Sequence, residues 1–278
     1  MRPPLPGRTR RAARDLALRS AASRGLFVGR RPAEGAVLDA LGLLAPRPVG
    51  HGFVRLGAAQ DGGYVVPDDL DGITDLVSPG VSDEIGFDLA ALDRLGPDAR
   101  AHLFDASVEG PPADDPRLRF TRLHLDSRTD EGVTTLADAV AGIDAPGDLM
   151  LQMDVEGAEY RILQATPSSV LERFRVVLIE LHHLQDLCLH SRLHDLRAAL
   201  LLLHRTHVPC HVHPNNAEAA FPVADQWIPR LLETTWLRRD RVRDGVPLMS
   251  EARRSLDRDC VPTRPGLALP PVLADRAP

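Results

Sequence analysis

Between residues 35 and 240, short apolar runs of the kind that form strands alternate with segments whose apolar residues recur at helical spacing. That alternation is the signature of βαβ units feeding a parallel sheet. The first unit is Ile73-Thr74-Asp75-Leu76-Val77-Ser78-Pro79-Gly80, a strand running into a turn, with Ser82 to Leu92 following as a helix. Ser82 or Asp83 is placed to cap that helix, and acids in its first turn suit the positive end of the dipole. Further strands are expected at Ala101 to Asp105, Arg119 to Leu125, Leu149 to Asp154 and Val176 to Leu181. Leu149 to Met153 and Val176 to Ile179 are almost unbroken apolar runs, which strands buried on both faces require, so both are predicted to be central. Ala158 to Ala165 reads as a short helix and Leu193 to His204 as a longer one. Strand-like segments follow at Val208 to His213 and Leu232 to Leu237.

Outside this region the periodicity fades. Residues 1–34 form an Arg-rich arm, within which Arg11 to Phe27 is compatible with an amphipathic helix carrying Leu16, Leu18 and Leu26 on its apolar side. From about Asp257 onward Pro recurs without periodicity, which reads as a tail. The expected organisation is thus an arm over 1–34, an α/β domain over 35–245 that holds the function, and an extension over 246–278.

Composition narrows the class. With 278 residues, 44% hydrophobic and 26% charged, the chain has the make-up of an ordinary globular domain with extensions. Its longest apolar run, Leu200 to Leu203 after Ala198 and Ala199, is far shorter than the ~20 residues that cross a bilayer. The arm lacks the apolar stretch of a secretory signal, so a cytoplasmic protein is expected. The three cysteines, Cys188, Cys210 and Cys260, show no CxxC spacing, which argues against a disulfide framework or a zinc ribbon. The net charge is −6 and every one of the 33 basic residues is Arg. That acidic balance disfavours a general nucleic-acid binder.

In open α/β sheets ligands sit beyond the carboxyl ends of the strands, where the strand order reverses. Four predicted strand ends carry polar groups: Gly80-Val81-Ser82-Asp83, Asp105-Ala106-Ser107, Asp154-Val155-Glu156-Gly157-Ala158-Glu159, and Glu180-Leu181-His182-His183. Gly80 suits a turn where backbone must approach a ligand closely. Asp105 follows about 25 residues later, where a Rossmann-like sheet presents its ribose-binding acid. The structural alternative for Asp154 and Glu156 is helix capping. Eight of the eleven histidines lie between His182 and His213. His190, His194, His204 and His207 read as ordinary surface or sheet-edge residues, whereas His182 at a central strand end is a candidate for the site. Asn215-Asn216 most simply makes a turn, and Asp61-Gly62-Gly63-Tyr64 a tight hairpin with a role in closing over a ligand.

Taken in order, Asp61-Gly62-Gly63-Tyr64-Val65, Ser78 to Asp88, Phe104-Asp105-Ala106-Ser107, Met153 to Glu159, Glu180-Leu181-His182, His213-Pro214-Asn215-Asn216 and Glu233-Thr234-Thr235 resemble the blocks of the FkbM-type methyltransferases. The resemblance spans roughly residues 55 to 240, and the Asp-Val-Glu-Gly-Ala-Glu hexad is its most specific part. It departs from the usual methyltransferase turn, because Pro79-Gly80-Val81-Ser82 keeps one glycine and sets Ser82 where another stands. The resemblance implies a class I methyltransferase fold, a Rossmann-like doubly wound, mostly parallel seven-stranded sheet. It further implies S-adenosylmethionine as cofactor and O-methylation of a hydroxyl on a sugar or natural-product small molecule. The candidate cofactor contacts are Asp61, Gly80, Ser82, Asp83, Asp105, Ser107 and Asp154, and the candidate catalytic residues are Asp154, Glu156 and His182.

A hydroxyl acceptor needs a group to receive its proton, for which His182, Asp154 or Glu156 qualifies, or a metal that acidifies it. No metal is assigned from the sequence, although Asp154, Glu156, His182 and His213 form the alternative ligand set. Two other functions fit the same residues: a metal-dependent hydrolase, and a non-catalytic ligand-binding member of the fold. The acceptor, a small molecule or glycan, would be chosen by loops within residues 183 to 230, whose side chains do not spell a substrate class.

Overall fold

The computed structural model describes residues 30–243 and 253–275, together with Leu16, Arg19, Ser20, Ser23 and Arg24. In chain order, α1 (Glu34–Leu41) leads into the hairpin β1 (Phe53–Gly57) and β2 (Gly63–Pro67), then β3 (Ile73–Pro79), α2 (Gly86–Leu95), β4 (Arg100–Phe104) and β5 (Leu118–Thr121). The short pair β6 (His124–Leu125) and β7 (Val133–Thr134) precedes α3 (Leu136–Ala141), β8 (Asp148–Met153), α4 (Glu159–Ala165), α5 (Ser168–Leu171) and β9 (Phe174–Leu181). The chain continues through α6 (His190–Thr206), β10 (His207–Asn215), the small hairpin β11 (Phe221–Val223) and β12 (Gln226–Ile228), and β13 (Leu231–Arg238).

Seven strands form one sheet in the order β10-β13-β9-β8-β3-β4-β5. From β5 across to β9 every neighbouring pair is parallel, and β13 runs antiparallel to both β9 and β10. The doubly wound, mostly parallel seven-stranded sheet expected from the sequence is therefore present. Its centre explains the unbroken apolar runs. Leu149, Leu151 and Met153 of β8, with Val177, Ile179 and Leu181 of β9, belong to one core layer. Met150, Val176 and Leu178 point the other way into a second core with Leu76, Leu103 and Phe87. Alternating side chains thus meet apolar neighbours on both faces, and neither face tolerates a polar repeat.

The chain winds outward from β3 through β4 to β5, then crosses back to lay β8 on the other side of β3. At that reversal the connections after β3 and β8 leave in opposite directions, and a crevice opens between their carboxyl ends. One glycine is required there. Gly80 has φ +84°, and a Cβ on it would stand 1.5 Å from the carbonyl oxygen of Asp154, so the ends of β3 and β8 meet backbone to backbone.

Several expectations are corrected. The helix after β3 begins at Gly86, and neither Ser82 nor Asp83 caps it; the residue before it is Ile85, with no side-chain cap. Ser82 instead takes a left-handed conformation and gives its amide to Asp105, which pulls the chain away from helix. The strand expected over Arg119 to Leu125 divides into β5 and β6. Asn215 and Asn216 do lead into the expected turn, Asn215 Oδ1 accepting the Ala217 amide at 2.8 Å, but without left-handed backbone; both side chains are buried, Asn215 donating to Glu180 Oε1 at 3.0 Å and Asn216 to the carbonyl of Val261 at 3.0 Å.

The segment expected to be a tail is packed over residues 253–275. Arg253 is buried and donates to the Cys210 carbonyl at 2.8 Å while pairing with Asp275. Asp257 pairs with His211 at 2.9 Å, and Leu273 is buried in the core. Of the helix expected over Arg11 to Phe27, most lies outside the described residues; Leu16, one of its apolar members, is exposed. Among the described residues no helix is long and apolar enough to cross a membrane.

Candidate active site

The ends of β4, β3 and β8 are stitched together before any side chain is considered. The amide of Gly80 donates to the carbonyl of Phe104 at 2.9 Å, and that of Asp154 donates to the carbonyl of Pro79 at 3.2 Å. Asp105 follows β4 and is buried, yet its carboxylate is well satisfied. Oδ2 accepts the Ser82 amide at 2.9 Å, and Oδ1 accepts the Ser107 amide at 2.7 Å and the Ser107 hydroxyl at 2.6 Å. Burial pushes its pKa up, but the Ser107 and Ser82 donors and the nearby His124 outweigh burial and hold the carboxylate below its ordinary range. A carboxylate offers about four acceptor positions, so three donors leave room for one more.

Two cavities meet at this edge. The larger, about 460 Å³, is bordered by Gly80, Ser82, Asp105, Ser107, Asp126, Asp154, Glu156 and Arg161 among others. The smaller, about 230 Å³, is bordered by Asp61, Gly62, Tyr64, Ser82, Asp83, Glu84 and Asp154 among others. Gly80, Ser82 and Asp154 line both, so each of the expected cofactor contacts Asp61, Gly80, Ser82, Asp83, Asp105, Ser107 and Asp154 borders one or the other of two adjoining cavities. Asp126 and Arg161 were not anticipated. They pair across the larger cavity with Nε to Oδ1 at 2.6 Å and Nη2 to Oδ2 at 2.8 Å, and the Arg161 guanidinium holds Asp126 down at about 2. The available signal was position alone, since Asp126 directly follows β6.

Behind Asp154, the end of β9 brings in His182. Its Nδ1 is bonded to Glu159 Oε1 at 2.9 Å, and Glu159 is wholly buried although it opens α4. The same oxygen accepts the Gly157 amide at 2.9 Å. His182 Nε2 faces Asp154 Oδ1 at 3.6 Å and Glu156 Oε2 at 3.4 Å. The three expected catalytic residues are therefore neighbours. Burial lowers the pKa of His182, but Glu159, Glu180 and Asp154 more than reverse that and raise it to about 9. Burial raises Asp154 to about 7, against the pull of His182 and with the help of Glu156 and Glu159.

His213 does not join them. Its Nε2 is bonded to the Arg258 carbonyl at 2.9 Å and its Nδ1 faces Asp257 at 3.6 Å. Deeper in the sheet, Glu180 and Glu233 sit opposite each other on β9 and β13. Burial raises both, assisted for Glu180 by Asp154 and for Glu233 by Asp61. Cys260 donates to Glu233 Oε1 at 3.0 Å. Of the histidines expected to be ordinary, His190 and His194 are exposed, whereas His207 is buried on the edge strand and bonded to the Phe174 carbonyl at 2.9 Å.

A strand order of β10-β13-β9-β8-β3-β4-β5 with one antiparallel insertion, and a cleft at the β3/β8 reversal, are the architecture of the class I methyltransferase fold. Residues 102–205 match the model of the methyltransferase FkbM domain. The match contains Asp105, Ser107, Asp154, Glu156 and His182, and begins after Asp61 and the Gly80 turn. Among curated proteins no sequence matches. Among solved structures, a putative rRNA-methylase from Clostridium thermocellum is similar at 11% identity, over 77% of this chain and 100% of that one, with a TM-score of 0.35.

Proposed function

We propose that this chain is an S-adenosylmethionine-dependent O-methyltransferase, with residues 35–245 as its catalytic domain and a hydroxyl of a small molecule or glycan as acceptor. The observation that carries the reading is the convergence of Gly80, Asp105 and Asp154 on one cleft at the strand reversal. These residues suit the cofactor. The absence of a side chain at Gly80 keeps open the space between the ends of β3 and β8, and Asp105 retains an acceptor position for a ribose hydroxyl. A cavity of about 460 Å³ falls in the size range of small-molecule sites.

When bound, S-adenosylmethionine supplies a methyl group made electrophilic by its sulfonium. Transfer of that methyl to a hydroxyl would release the hydroxyl proton, which a group of this chain must receive. Asp154 is the carboxylate that borders both cavities, so it is assigned to receive the proton. His182 and Glu156 flank it, and Glu159 holds the His182 ring. The enzyme forms no covalent bond; its contribution is alignment and a place for the proton. A net charge of −6 supports a small acceptor over a phosphate-rich polymer.

The test is titration calorimetry with S-adenosylmethionine. Binding to the wild-type chain is expected, weakened about 10-fold or more in Asp105→Ala, since a charge-assisted hydrogen bond contributes about 1.5–3 kcal/mol. A wild-type chain with no measurable affinity would sink the reading. Methylation of a panel of hydroxylated metabolites, with Asp154→Asn inactive but still binding cofactor, tests the acceptor atom and the proton's destination.

A further inference from the structure

Where β8 and β9 end, three potential ligand groups come together. One carboxylate oxygen from each of Asp154 and Glu156 and one ring nitrogen of His182 lie within 4.8 Å of one another. His182 Nε2 stands 3.6 Å from Asp154 Oδ1 and 3.4 Å from Glu156 Oε2. Both separations exceed the ~2.7–2.9 Å of a charge-assisted N–H···O bond. They are close to the edge of a coordination polyhedron instead: two ligands each ~2.0–2.1 Å from a tetrahedral ion stand ~3.3–3.4 Å apart.

Two further features point to a ligand at that spot. Asp154 Oδ1 is shielded from solvent and, among the described residues, no hydrogen bond reaches it. The side chain of His182 is only 5% exposed, and its one ring hydrogen bond is at Nδ1, to a Glu159 that is fully buried. A buried carboxylate holding Nδ1–H would fix the tautomer of the neutral ring and present Nε2 to an ion that displaces its proton, which is how metal-bound histidines are held. The loop between them is strained in the same sense. Glu156, a non-glycine residue, sits at φ 53°, and Gly157 follows at φ 100° with no space for a Cβ against the His183 ring. Left-handed non-glycine backbone collects at ligand sites.

We propose that Asp154, Glu156 and His182 bind one divalent metal ion, with Glu159 as the positioning residue of the site. One imidazole with two carboxylates suits zinc, manganese or ferrous iron better than the all-oxygen cations magnesium and calcium. Three protein ligands leave coordination positions open toward the cavity that Asp154 and Glu156 line. Those positions take oxygen donors, best a pair of adjacent hydroxyls. That assignment of the acceptor rests on the methyl-transfer reading; the ion site does not.

The experiment titrates tag-free, metal-stripped full-length chain with Zn²⁺ and with Mn²⁺ by calorimetry, with the paramagnetic resonance of bound Mn²⁺ as an independent readout. One ion per chain is expected. Glu156 is 84% exposed, so Glu156→Gln leaves folding untouched and is expected to weaken binding at least 10-fold. His182→Ala is expected to abolish binding, and Glu159→Gln to weaken it 10- to 100-fold with S-adenosylmethionine affinity unchanged. The exposed pair is tested by His190→Ala/His194→Ala, which is expected to bind like wild type. Absence of binding, binding that survives both Glu156→Gln and His182→Ala, or binding that disappears with His190 and His194 overturns the proposal. S-adenosylmethionine is titrated into the same samples: lost cofactor affinity with intact ion binding overturns the proposed function alone, and the converse overturns the ion site alone.

Discussion

Replacing Gly80 with alanine is the sharpest perturbation of the architecture behind the cleft. The added Cβ would lie 1.5 Å from the Asp154 carbonyl oxygen, whereas real Cβ atoms stay at least 3.0 Å from such neighbours. The ends of β3 and β8 must therefore part by at least 3.0 − 1.5 = 1.5 Å. Neither end is free to do so, because Asp154 is bonded to Pro79 at 3.2 Å and Gly80 to Phe104 at 2.9 Å. The left-handed φ of +84° adds about 1–2 kcal/mol for any side chain, and losing one strand-end hydrogen bond adds about 1 kcal/mol. Together Gly80→Ala should cost about 2–3 kcal/mol of stability. The parted strand ends should also weaken cofactor binding; for scale, a displacement near 1 Å in a reacting geometry can cost ~10²-fold in rate, about 2.7 kcal/mol. Gly132→Ala is the control. It has φ +71° but nothing within 4 Å of the added Cβ, so it carries only the conformational cost. Denaturant unfolding and S-adenosylmethionine titration of both variants read the difference. Should Gly80→Ala match Gly132→Ala in stability and affinity, the close approach of β3 to β8 is not what shapes the cleft.

The packed C-terminal segment predicts an acid-sensitive contribution. Burial would raise Asp257, but His211 and His213 hold it far below the ordinary carboxylate value. A folded-state pKa depressed in this way gives stability that is present above the unfolded value of about 3.9 and lost as pH falls toward the folded one. Asp257→Asn should cost about 1–3 kcal/mol near neutrality, the order of a lost buried polar contact, and the gap to wild type should narrow below about pH 4; an equal gap at pH 7 and pH 3 would contradict the pairing. On the opposite face, Leu200 of α6 is buried in the core, so Leu200→Ala should lower unfolding free energy by about 2–5 kcal/mol without changing cofactor affinity, and an effect under 1 kcal/mol in denaturant titrations would show that this helix is not packed as described.

What was legible in the sequence follows the physics of each contact. Strands β8 and β9 could be read from apolar runs because two-sided burial leaves no polar alternation, and the site could be read because its carboxylates come next in the chain after those runs. Strand order left no such mark: nothing in Leu232 to Leu237 announces insertion between β9 and β10, since pairing is chosen by neighbours far away in sequence. In the sequence Glu159 is only the last acid of the block that opens at Asp154, and the fold shows it wholly buried against His182.

The segment 253–275 is the clearest case of information that periodicity does not carry. Its attachment depends on isolated polar grips, each joining residues far apart: Arg253 to Cys210, Asp257 to His211, Cys260 to Glu233 and Asn216 to Val261. Single residues of this kind have no repeat, so the segment reads as a Pro-rich tail. The grips nevertheless converge on β10 and β13, whose residues Asn215 and Glu233 bear on Glu180. Through Glu180, which raises both His182 and Tyr64, the segment is connected to the electrostatics of the cleft. It is therefore best treated as part of the wall behind the site, and the Asp257→Asn variant should be titrated with S-adenosylmethionine as well as unfolded.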